Sequence, residues 1–307
     1  MDRRGWDEVD IVFVSGDAYG DHPSFAAAIL GRSLEAAGFR VAILSQPDWK
    51  KVDDFRRFGR PRLFFGVSAG NMDSMINHYT ANRKPRSDDA YSPGGRSGRR
   101  PDRATNVYAQ RCREAFPGSL VIAGGVEASL RRVAHYDYWS DTVRPSLLVS
   151  STADLVGFGM GESVIVEIAR RLANGETVRD LRDMRGVAYL LGKSEEVPEF
   201  PESMKGPGTP DDHTVALPSF EDTKSDKRAF AMASRLAHRE SNPMNARRLV
   251  QAHGDRRVVQ NPPSLPLDTE GMDAIYDLPN TRAAHPAHGG KEQDWEANKN
   301  SVTIMQG

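Results

Sequence analysis

The chain has 307 residues, of which 38% are hydrophobic and 27% charged, and its formal net charge is −1. That is enough chain for one large domain or two modest ones, and a charge near zero gives no global attraction to nucleic acid or an anionic membrane. The first apolar run, residues 11–14, is too short for a signal peptide or a membrane span, so the expected location is the cytoplasm. A single cysteine, Cys112, excludes an internal disulfide and cannot by itself hold an iron–sulfur cluster.

Taken in chain order, the front of the sequence alternates apolar strands with helical patterns. Residues 11–15 read as a buried strand and 23–38 as a helix, with Asp21 as its cap and Gly38 closing it. Residues 40–45 are a second strand, 52–58 a short helix and 62–67 a third strand. Residues 71–103, rich in Gly, Pro, Ser, Asp and Arg, form a long interruption, with Arg96 to Arg103 expected as a solvated, flexible stretch. Residues 120–123 and 154–158 are further strands, and 162–173 a helix. Such alternation predicts an α/β fold: a Rossmann-like parallel sheet with helices on both faces.

Beyond a proline-rich excursion over 195–212 the character changes to a smaller α+β connecting region. Residues 214–217 suggest a strand, and 219–239 a single long charged helix capped by Ser219 and Asp222. Residues 249–252 and 257–260 flank His253-Gly254-Asp255-Arg256 as a hairpin, and 268–276 is one more short helix. The expected parts are therefore residues 1–192, 193–290 and 291–307.

In a parallel α/β sheet, ligands bind where strand C-termini meet helix N-termini. The candidates there are Gly16-Asp17 with Asp21-His22, the stretch Gly66 to Asn71, Gly124-Gly125-Val126-Glu127, and Gly157 to Glu162. His135-Tyr136-Asp137-Tyr138-Trp139 adds an aromatic and acidic cluster able to stack on a flat ligand. Asp17, Asp21, His22, Asn71, Glu127, His135 and Glu162 are thus the pocket candidates for a small-molecule ligand. Gly157-x-Gly159-x-Gly161 lacks the spacing of a dinucleotide fingerprint, and no phosphate-binding loop is present. Asp21-His22 lacks the Asp-x-His-x-x-Gly spacing of base-on cobalamin binding, which argues against that cofactor. No histidine pair has the spacing of a zinc site, so metal binding is not expected.

Several runs are more particular. Gly16-Asp17-Ala18-Tyr19, Asp21-His22-Pro23-Ser24-Phe25, Gln46-Pro47-Asp48-Trp49 and Phe64 to Met75 resemble the N-terminal region of the YgiQ-like radical SAM family. Gly124 to Arg132, His135 to Ser140, Leu217 to Glu221, His253 to Arg256 and Asn261-Pro262-Pro263 continue that resemblance. It implies a front domain similar to cobalamin-binding domains, joined to a partial barrel carrying Cys-x-x-x-Cys-x-x-Cys. Those thiolates would hold a 4Fe–4S cluster that binds and cleaves S-adenosylmethionine to a 5′-deoxyadenosyl radical.

By the same resemblance, residues 301–305 correspond to the first barrel strand, which in the family leads into the first cluster cysteine; here Gln306 and Gly307 follow. The expectation is an N-terminal fragment that frames a pocket, lacks the cluster and is inactive alone, with a separate chain supplying the radical SAM core. A free-standing α/β binding or regulatory module is the rival reading, and nucleic-acid binding through Arg96 to Arg103 the weakest.

Overall fold

The computed structural model describes residues 4–286 and 293–301. Residues 302–305, most of the expected barrel strand, lie outside the described residues. The chain divides into two compact units, residues 1–127 with 267–307, and residues 128–266.

The first unit is built on four strands: β1 (Ile11–Ser15), β2 (Val41–Ser45), β3 (Phe64–Ser68) and β4 (Leu120–Ala123). All pair in parallel in the order β2-β1-β3-β4, with Ile11 opposite both Val41 and Phe64, and Phe64 opposite Leu120. β1 is buried at every position, as a strand covered on both faces must be, whereas β2 alternates in burial along its length. The order grows in opposite directions from β1 and β3, so a switch point lies between their C-terminal ends.

Helix α1 (Ala26–Ala36) packs against β1 and β2, and α3 (Ala104–Ala115) against β3 and β4. α1 starts later than its sequence pattern suggests: Phe25 is the residue before its first turn, without a side-chain cap, because Asp21 is engaged elsewhere. Between β3 and α3 the interruption is folded rather than loose. It holds the short helix α2 (Ser74–His78), a tight turn at Pro93–Gly95 and bridges joining Tyr79 to Pro85 and Asp88 to Arg96. The expectation of a solvated stretch at Arg96 to Arg103 is corrected at its centre, where Arg100 is 1% exposed.

α4 (Gly125–Leu130) leads into the second unit, where β5 (His135–Asp137) and β6 (Thr142–Arg144) pair antiparallel and α5 (Leu147–Ser150) follows. β7 (Leu155–Gly157) precedes α6 (Glu162–Ala173) and pairs antiparallel with β8 (Val187–Leu191), a strand that periodicity did not single out. β9 (Thr214–Leu217), β10 (Arg248–His253) and β11 (Arg256–Gln260) complete the sheet, β11 antiparallel to both β8 and β10, and β10 parallel to β9.

The single helix expected over 219–239 is two, α7 (Phe220–Ser225) and α8 (Lys227–Arg239). Asp226 is the break: its backbone is extended and its carboxylate accepts the Arg228 N–H, which starts a second helix rather than continuing the first. α8 rests Leu236 and Ala237 on Val215, Leu217 and Leu249. In the first unit, α9 (Thr269–Tyr276) and α10 (Gln293–Asn298) end the described chain. No helix is long and apolar enough to cross a membrane among the described residues.

Candidate functional site

The switch point between β1 and β3 is where this fold would place a ligand, and the chain fills it from within. Past β1, Asp17 accepts the Asn71 N–H at 2.6 Å and the Arg100 Nη1 at 2.7 Å. The same Nη1 donates to the Ala69 carbonyl at 3.0 Å, and Nη2 reaches both oxygens of Asp89 at 3.1 and 2.9 Å. Asn77 and Ser92 donate to Asp89 at 3.0 and 2.7 Å, and Gln46 ties Ser92 to the Gly16 carbonyl at 2.6 and 3.0 Å. The Arg100 side chain has no exposed surface.

The glycines here serve contacts between chain segments. A Cβ on Gly16 would stand 2.1 Å from the Ala69 carbonyl oxygen, and one on Gly70, whose φ is +110°, 2.0 Å from the Asp17 carboxylate. Both would collide with protein, so their smallness is already spent on bringing β1 and β3 ends together. Two carboxylates share one guanidinium, and that imbalance is reflected in Asp17: burial, with Asp89 adding, pushes it up to about 6 against the pull of Arg100 and Asn71.

Glu127 is the neighbouring feature. It is fully buried and accepts the Ser74 N–H at 2.8 Å, the Ser74 hydroxyl at 2.5 Å and the Thr105 N–H at 2.9 Å. The Ser74 hydroxyl in turn accepts the Ala104 N–H at 3.1 Å. The carboxyl group therefore sits where the first turns of α2 and α3 meet, accepting from the backbone donors that the start of each helix leaves open.

Asp21 and His22 clamp the returning chain. Asp21 accepts Arg32 at 2.6 Å and both the N–H and hydroxyl of Thr281 at 3.0 and 2.9 Å, while its backbone exchanges hydrogen bonds with Arg282 and Ala283. His22 Nδ1 accepts the Ser24 N–H at 3.1 Å, and Nε2 lies 3.4 Å from Arg282. Burial first, then Arg282, lowers its pKa.

Asp17, Asn71 and Glu127 thus belong to one end of one sheet, Asn71 through its backbone, and Asp21 with His22 to the clamp. His135 and Glu162 lie in the other unit. Burial, then Arg131, pushes His135 down to about 4, with its Nδ1 3.3 Å from the Val133 carbonyl; Glu162 is buried at the start of α6. Sequence reasoning missed Arg100, Asp89 and Ser74. The available signal was Asp17 directly after a strand buried at every position, where a buried carboxylate calls for a partner.

A separate cavity of about 480 Å³ opens beside β2 and α1, lined by Tyr19, Arg32, Glu35, Ile43, Arg57 and His285 among others. None of the seven expected pocket residues lines it. Among the described residues no group of three or more His, Cys, Asp or Glu is placed to hold a metal ion. Cys112 is buried in α3, and burial raises its thiol far above the ordinary range.

Comparison with known proteins gives a family match described as radical SAM N-terminal over residues 1–301. A UPF0313 protein of Rhodopseudomonas palustris is 54% identical over 319 residues, covering all of this chain and 46% of the relative. One from Bradyrhizobium diazoefficiens is 55% identical, with 100% and 47% covered, and the UPF0313 protein YgiQ of Escherichia coli is 50% identical, with 100% and 47% covered. The chain spans about half the length of the curated relatives it matches.

Proposed function

The chain belongs to the radical SAM N-terminal family, and on that premise we propose that it is the supporting front part of a YgiQ-like radical SAM protein rather than the part that carries the chemistry. Members of such a family use a 4Fe–4S cluster to cleave S-adenosylmethionine. A cluster needs several thiolates, and the one cysteine here is sealed inside α3 with its proton held. The residues present do not fit the cluster, and its ligands belong to residues outside this chain.

The observation that carries this reading is Arg100 at the switch point. Where a cobalamin-type domain would admit its cofactor, this unit holds a guanidinium between Asp17 and Asp89. Asp17, Asn71 and Glu127 are then positioning residues: they fix a rigid sheet end that frames a pocket on the side of the radical SAM core. Asp21 and His22 hold residues 281–285, the segment that leads onward in the chain. Base-on cobalamin ligation is disfavoured by the same contacts, since both His22 nitrogens already face protein groups.

The cavity beside β2, walled in part by Tyr19, Ile43 and His285, favours a second reading, a small-molecule binding module. Anaerobic reconstitution with iron and sulfide, followed by hydroxocobalamin titration, tests the main reading. The expected outcome is no iron–sulfur absorbance, no 5′-deoxyadenosine and no retained cobalamin. A chain binding about four iron atoms through its own side chains would contradict it.

A further inference from the structure

From the outer face of α8 we infer a binding surface for the phosphate backbone of a nucleic acid. The helix reads Lys-Arg-Ala-Phe-Ala-Met-Ala-Ser-Arg-Leu-Ala-His-Arg over Lys227–Arg239 and contains no acidic residue. Lys227, Arg228, Arg235 and Arg239 are all exposed. Arg228, Arg235 and Arg239 are spaced by seven and four residues and so fall on one stripe, about 10 Å and 6 Å apart along the axis. No ion pair engages any of these four cations among the described residues. That contrasts with Arg32, Arg40, Arg62, Arg171 and Arg247, each held by a carboxylate. The acids nearest in sequence are spoken for: Asp226 caps the Arg228 N–H, Asp222 pairs with Ser219, and Glu240 is buried against Arg247.

The chemistry of the face selects its partner. The apolar side of α8 is consumed by Leu236 and Ala237 packing on Val215, Leu217 and Leu249, so it cannot enter a bilayer as an interfacial helix does. The stripe presents one apolar side chain, Met232, 48% exposed, and no aromatic anchor of the kind that carries protein–protein affinity. What remains is a straight row of guanidinium forks, suited to bidentate contact with successive phosphates and indifferent to base sequence. This surface is distinct from Arg96 to Arg103, where Arg100 is locked in the interior.

Fluorescence anisotropy on the whole chain tests the inference, using a short labelled RNA, a DNA duplex of the same sequence, and polyglutamate as an acidic polypeptide. The expected result is binding to one or both nucleic acids that weakens about 20- to 40-fold between about 50 and 200 mM salt, as three phosphate contacts require. The arm that binds identifies the source of the phosphates. The combined Arg228→Gln, Arg235→Gln, Arg239→Gln variant, checked for folding by circular dichroism, should lose that binding, whereas Arg96→Gln with Arg99→Gln should retain it. Binding that survives the triple substitution, polyglutamate binding as tight as RNA, or no binding at low salt would overturn it.

Discussion

Arg100 is the residue on which the first unit turns. A guanidinium without exposed surface is costly to bury, and it persists because Asp17, Asp89 and the Ala69 carbonyl accept from its two terminal nitrogens, Nε alone finding no acceptor among the described residues. Removing it would leave two like-charged carboxylates facing one another in the interior. Arg100→Ala is expected to lower the unfolding free energy by about 3–5 kcal/mol, read from the midpoint of urea denaturation. A loss under about 1 kcal/mol would mean that water, not the arginine, balances the two acids. This residue was hidden in the sequence, because one arginine of the run Arg96 to Arg103, set among glycines, prolines and serines, carries the composition of solvent. Asp17 was legible as important from its place after β1, but its role was not: a strand-end acid looks the same facing a ligand or a neighbouring loop.

At the scale of elements, the hairpin of β10 and β11 shows what local pattern specifies. His253-Gly254-Asp255-Arg256 between two apolar runs forms the turn, with Gly254 at φ +62°. Its His253 ring stacks on Phe220 of α7 at 5.3 Å, and neither nitrogen has a hydrogen-bond partner among the described residues. Burial first lowers the pKa of this ring to about 4 from an ordinary 6.5, Arg256 adding to the effect and Glu221 opposing it. Between those values the folded chain binds fewer protons than the unfolded one. Stability is therefore fully present above pH 6.5 and is lost as pH falls toward 4. His253→Phe keeps the stack and removes the titration, so its loss of stability between pH 7 and 5 should be smaller than that of the native chain by about 2 kcal/mol. Equal losses in both, measured by thermal unfolding, would place the acid sensitivity elsewhere. The α7–α8 break was less legible than the hairpin. Helical periodicity runs through Asp226, and only its capping of Arg228 restarts the register.

Over the whole molecule, the parallel strands of the first unit followed directly from their apolar runs, because a strand buried on both faces has little choice of residues. The plugged switch point did not, since it joins Asp17 to a residue 83 positions away. Long-range pairings of that kind leave no periodic trace. This chain matches the front of proteins about twice its length, and its own side chains take up the switch point between β1 and β3. The central claim is that it supports a radical SAM core supplied by other residues. The direct test is to mix the chain with the separately expressed remainder of the Rhodopseudomonas palustris relative, reconstitute anaerobically, and measure complex mass and iron together. The account predicts a one-to-one complex with iron confined to that partner; iron held by this chain alone, or no complex at micromolar concentrations, would contradict it.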